Sequence, residues 1–172
     1  KKNKLSQARQ DMNRLQQERK DMSQKKIPSF PKEIEIFRDI LDTENIDNLI
    51  FAEGIEITEP KWQLAIESFL GRERFTIFVD DKDFLYAKKL GEKYKYSNYI
   101  SKYESYPLPT QIRSNSILAN LRVLDSRITA RLIGLNEILL VDTVDEGHQY
   151  SEFITITVQG YRQDRRGGIF IA

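Results

Sequence analysis

The stretch Glu59 to Asp83 (EPKWQLAIESFLGRERFTIFVDDKD) constrains this chain most, because a shorter version of it returns around Ile133. FLGRERFTIFVDD in the first copy matches LIGLNEILLVDT in the second: an apolar pair ending in glycine, a polar step, an apolar run, then aspartate. Trp62, Ile66, Phe69 and Leu70 stand at i, i+4, i+7 and i+8, which puts them on one helix face. Pro60 suits the first turn of that helix, and Gly71 can take the left-handed conformation that ends it. Phe75 to Val79 then reads as a short buried strand. The second copy repeats the unit with Ile128, Leu132, Gly134, Ile138 to Val141 and Asp142. A chain carrying such a unit twice is expected to build an α+β fold of two similar small mixed-sheet lobes with flanking helices.

With 172 residues, and 27 Lys and Arg against 26 Asp and Glu, the chain is large enough for one core or two small ones, and its net charge is close to zero. It has no cysteine, which excludes disulfides, thiol catalysis and Cys-based zinc sites, and its one histidine, His148, cannot form a cluster. No apolar run approaches the ~20 residues that span a bilayer, and nothing resembles a signal peptide, so a cytoplasmic location and no membrane partner are the default expectations. Neither G-x-x-x-x-G-K-[ST] nor G-x-G-x-x-G occurs, which excludes a P-loop and a dinucleotide fingerprint. No cofactor is expected.

Residues 1–26 carry nine Lys and Arg against three Asp and Glu. Leu5, Ala8, Met12, Leu15 and Met22 fall at heptad positions, with Arg19 in the remaining seam position. The pattern predicts a coiled-coil arm; the competing reading is an amphipathic helix packed on the body. Beginning abruptly at Lys1, the arm is expected to be the end of something longer. Ile27-Pro28-Ser29-Phe30-Pro31 marks a boundary. Beyond it we expect a short helix over Lys32 to Leu41, a strand over Asn48 to Ile57 bent at Gly54, and a helix over Lys82 to Lys95. A strand is expected within the tyrosine-rich Tyr94 to Tyr106. Pro107 and Pro109 place the junction between a lobe of residues 27–106 and one of 107–172. Ile117 to Val123 fits strand or helix equally. Thr143-x-x-Glu146 reads as a capping box, and Phe153 to Val158 (FITITV) as a strand turned by Gly160.

Two groups of side chains invite chemistry. Asp80, Asp81 and Asp83 follow the first apolar run, as Asp142, Asp145 and Glu146 follow the second. Asp81 and Asp83 could hold Mg²⁺ in a nuclease or phosphotransferase, but carboxylates there also suit the caps and N-terminal dipoles of following helices, which is the favoured reading. Arg162, Arg165 and Arg166 beside Gly167-Gly168 could contact phosphates, with Lys88 and Lys89 as weaker candidates. A solvated hairpin end explains Arg165 and Arg166 about as well. His148 lacks any nucleophile motif beside it, and no catalytic residue is expected.

Together, the heptad arm, the proline boundary, the repeated unit and the Gly-Gly end resemble the hinge domain of SMC-type ATPases. The closest likeness is to the condensin-like SMC subunits of Wadjet-type bacterial plasmid-defence systems. Lys61 to Leu70 is similar to their W-x-x-A-I-E-x-x-L segment, Ile154 to Gly160 to the I-T-x-x-G element, and Gly167-Gly168 to the glycine-rich end. The resemblance implies a non-catalytic module that homodimerises, lobe one against lobe two, within a DNA-entrapping or loop-extruding ATPase with kleisin-type partners. It places the dimer interface at Gly160, Gly167, Gly168, Ile169 and Phe170, and DNA contact at the basic residues named above. A plain protein-interaction module docking through its tyrosines is a further alternative.

Overall fold

The computed structural model describes residues 6–15 and 30–172. In chain order the helices are α1 at residues 6–15, α2 (Lys32–Thr43), α3 (Gln63–Leu70), α4 (Asp81–Lys93) and α5 (Val144–His148). The strands are β1 (Asn48–Ile50), β2 (Ile55–Ile57), β3 (Ile77–Val79), β4 (Ile100–Lys102), β5 (Leu121–Val123), β6 (Ile138–Val141), β7 (Ile154–Thr157), β8 (Tyr161–Asp164) and β9 (Gly167–Phe170). They form three small sheets, ordered β1-β3-β4, β2-β5 and β6-β7-β8-β9. This is the expected mixture of small sheets and flanking helices. Leu5, Met22 and the Pro28 boundary lie outside the described residues.

The described residues divide into two compact units, one of residues 6–15, 30–48 and 79–97, the other of 49–78 with 98–172. In the first, Ile34, Phe37 and Leu41 form the buried stripe of α2. Both α2 and α4 end on a non-glycine residue at positive φ, Asn45 and Lys95. The next residue then donates back into the last turn, Ile46 N to Leu41 O at 2.9 Å and Tyr96 N to Gly91 O at 2.8 Å, which satisfies carbonyls the helix leaves open. Tyr96, so placed, stacks on Phe37 with ring centroids 4.3 Å apart.

The second unit has one continuous apolar cluster that includes Phe51, Ile66 and Phe78 from one side of Pro107 and Ile128, Leu132 and Ile156 from the other. The expected division into 27–106 and 107–172 is therefore not where the compact units fall, because apolar faces from both copies of the repeat close on each other. Gly54 shows the closeness: a Cβ there would lie 2.5 Å from Ile128 Cδ1. The glycine in the predicted strand thus marks tight packing rather than a bend, and Asn48 to Ile57 splits into β1, a 3-10 turn at Phe51–Glu53, and β2. Glu53 drives the split by accepting Ile50 N–H at 3.0 Å.

Both copies of the repeat deliver a wholly buried strand, β3 and β6, each followed by a helix. Gly71 ends α3 at positive φ, 53°, but with ψ -127° instead of the expected left-handed conformation. The second copy departs from the first in its helix: Ser126–Arg131 is a 3-10 turn where the first copy has α3, whereas the 3-10 turn Ile133–Glu137 matches Gly71–Phe75 of the first. There the β-branched Thr129 bonds back to Ser126 O at 3.0 Å, which competes with α-helical pairing. The Thr143-x-x-Glu146 signature caps α5, with Thr143 Oγ1 accepting Glu146 N–H at 3.1 Å while Glu146 Oε2 accepts Asp142 N–H at 3.0 Å.

Candidate functional site: an open sheet edge

In the four-stranded sheet, β6 and β7 are parallel and β7, β8 and β9 antiparallel. β6 and β7 are largely buried, β8 is half-buried, and all four residues of β9 are exposed. β9 is the edge of the sheet. Ile169 and Phe170 are 55% and 60% exposed there, next to two glycines that leave the backbone uncovered. A bare edge strand carrying two large apolar side chains is a template for another strand.

The hairpin that presents β9 is built from its own side chains. Arg165 and Arg166 form the turn between Asp164 and its register partner Gly167. Gly167 has φ 122°, a conformation other residues rarely adopt. Asp164 Oδ1 accepts the Arg166 backbone N–H at 2.9 Å, and its Oδ2 accepts Arg162 Nε–H at 3.0 Å. Those two donors, the backbone one first, hold the Asp164 carboxyl below its ordinary range although desolvation pushes the other way. Tyr161 lies across Gly168, whose added Cβ would meet Tyr161 Cζ at 2.6 Å, so the ring fills the space that glycine leaves.

Because Asp164 titrates below its unfolded value of about 3.9, its contribution is fully present above that pH and is lost as pH falls through the lower, folded value. Amide-exchange protection in β8 and β9 should therefore hold from neutral pH to about pH 4 and fall below it. Asp164→Asn should abolish that acid step; a step of the same size in the variant would contradict the assignment.

The residues singled out in the sequence are distributed unevenly. Gly167, Gly168, Ile169 and Phe170 form the exposed edge, whereas Gly160 is buried at φ 89°, its Cα facing Ala172. Arg165 and Arg166 are exposed at the turn. Arg162 is paired with Asp164 and lies over the Phe69 ring at 5.7 Å, so any phosphate contact it made would compete with that ion pair. Lys88 and Lys89 belong to the other unit, on α4, with the Lys88 ammonium 4.2 Å from the Phe84 ring centre. Asp81 and Asp83 lie in the first turn of α4, where the dipole favours acids; Asp80 is the N-cap residue but makes no side-chain cap bond, so that part of the capping expectation fails. Among the described residues no three His, Cys, Asp or Glu side chains are grouped to hold a metal ion, and no helix is long and apolar enough to cross a membrane. Asp164 was missed in the sequence, although an aspartate two residues before the N–H it accepts is a recognisable turn signal.

No family model matches the chain, and no curated protein does. Solved structures do. The SMC hinge domain of Pyrococcus furiosus superposes with a TM-score of 0.59 at 20% identity, over 81% of this chain and 87% of that one. An asymmetric dimer of the Geobacillus stearothermophilus SMC hinge domain gives 0.61 at 15% identity, over 96% and 75%. The S. pombe Smc5/6 hinge domain gives 0.63 at 19% identity, over 97% and 72%. The chain has the fold of an SMC hinge domain.

Proposed function

We propose that this chain is the homodimerisation hinge of an SMC-like complex and has no catalytic role of its own. The observation that carries the reading is the exposed β9 edge with Ile169 and Phe170, on a fold shared with hinge domains, one of them solved as a dimer. The partner strand is β4 of a second copy. β4 is an outer strand of the β1-β3-β4 sheet and lies in the same compact unit as β9, so two β9-to-β4 contacts related by a two-fold axis would close a dimer. β4 falls within residues 27–106 and β9 within 107–172, so this pairing matches the lobe-one-to-lobe-two contact that the sequence resemblance implies. Burying Ile169 and Phe170 at about 1.5–3 kcal/mol each, with main-chain hydrogen bonds added, suits an affinity on the order of micromolar after the cost of association.

A dimer mixed from nitrogen-labelled and carbon-labelled chains tests the pairing. Intermolecular nuclear Overhauser effects should connect Gly168 and Ile169 with Ser101 and Lys102; effects confined to other surfaces would refute it.

The finer reading rests on the sequence resemblance. The parent protein is an ATPase that entraps or extrudes DNA with kleisin-type partners, in chromosome maintenance or Wadjet-type plasmid defence. DNA contact at the hinge falls to Arg165 and Arg166, both exposed beside the edge. It is weak and salt-sensitive, since it uses phosphates alone. Changing both to Ala should remove a low-salt gel shift, and an unaltered shift would remove the proposal.

A further inference from the structure

α1 is seated the wrong way round for a helix that packs on a body for its own stability. Such a helix buries its apolar stripe. Here Ala8 is exposed, Met12 and Leu15 are 61% and 55% exposed, and the residues drawn inward are the charged Arg9 and Asp11.

Arg9 fastens this polar side to a prepared acceptor. Its Nη1 donates to Asp42 Oδ1 at 2.5 Å and its Nη2 to Asn48 Oδ1 at 3.3 Å. Asn48 is only 5% exposed, and its Nδ2 donates both to Ile46 O at 3.0 Å and to Asp42 Oδ1 at 2.9 Å. Those two bonds fix the amide and aim Oδ1 at the arginines, where it also accepts Arg38 Nε–H at 3.0 Å. Asp42 stands in the last turn of α2, where the helix dipole disfavours a carboxylate and a cation relieves it. Two acceptors fixed by each other suit the planar, two-pronged guanidinium and not an ammonium.

We propose that Arg9 is a clamp that sets the direction of α1 on its unit and keeps the apolar seam turned outward. The clamp is independent of the β9 dimer. Its side chains are about a third exposed, 31% for Arg9 and 29% for Asp42, so it holds the helix without locking it.

The cysteine-free chain allows spin labels to be placed at will. Gln10→Cys and Glu35→Cys, diluted with unlabelled protein, report the distance from α1 to α2 within one chain. A narrow distribution is expected, broadened by Arg9→Ala and by Arg9→Lys but not by Asp11→Ala, with amide exchange across residues 6–15 about two- to fivefold faster when Arg9 is lost. An unchanged distribution in Arg9→Ala, or equal broadening in Asp11→Ala, would overturn the clamp. The exchange of α2 amides verifies that the unit itself remains folded.

Discussion

Ile169→Asp should turn the dimer into a monomer while leaving the fold intact. Ile169 is on the exposed edge strand, so the folded monomer loses almost nothing by the change. The dimer loses a buried apolar side chain and must desolvate a carboxylate, which together weaken association by at least about a hundredfold. Phe170→Asp should act the same way. These variants are cleaner than changes at the neighbouring glycines. At Gly167 any side chain would be strained by φ 122°, and at Gly168 a Cβ would strike the Tyr161 ring, so a loss of dimer there would mix interface and hairpin effects. A melting temperature that depends on concentration in the natural chain and not in Ile169→Asp is the linked signature.

Phe78→Ala should cost about 3–5 kcal/mol of stability. Phe78 is 1% exposed, on the wholly buried β3, and its ring lies 6.2 Å from those of both Phe51 and Tyr103. Truncation leaves a cavity walled by residues from several elements, which cannot all collapse into it. Chemical denaturation measures the loss, with Leu64→Ala, half exposed on α3, as a comparison expected to lie within about 0.5 kcal/mol of the natural chain. A loss under about 1 kcal/mol for Phe78→Ala would mean that the shared apolar cluster does not hold this unit together.

That cluster also marks the limit of what could be read from residue order. Local signals translated well: the Trp62 to Leu70 periodicity became α3 from Gln63, with Pro60 and Trp62 in a 3-10 turn before it, the FITITV alternation became β7, and Thr143 with Glu146 made its cap. The repeated unit was visible because each copy needs a glycine turn and a buried strand in close succession. The meeting of the two copies was not visible. Nothing local shows Gly54 pressed against Ile128, so the chain read as two lobes divided at Pro107. The site divided in the same way. Gly167 to Phe170 were singled out through the resemblance, which implied an interface there, and only the structure gives their exposure. The neighbours of Arg162 and Gly160 could not be read locally, because they come from across the fold, Phe69 for the first and Ala172 for the second. The seam of α1 was legible, and the polar docking by Arg9 was not, because Asp42 and Asn48 are more than thirty residues away in sequence.

The central claim is association through β9, and light scattering on the natural chain beside Ile169→Asp measures it most directly. At tens of micromolar, a concentration set by the affinity expected above, the natural chain should have twice the mass of one chain and Ile169→Asp the mass of one. A natural chain that stays monomeric, or a variant that stays dimeric, would contradict the account.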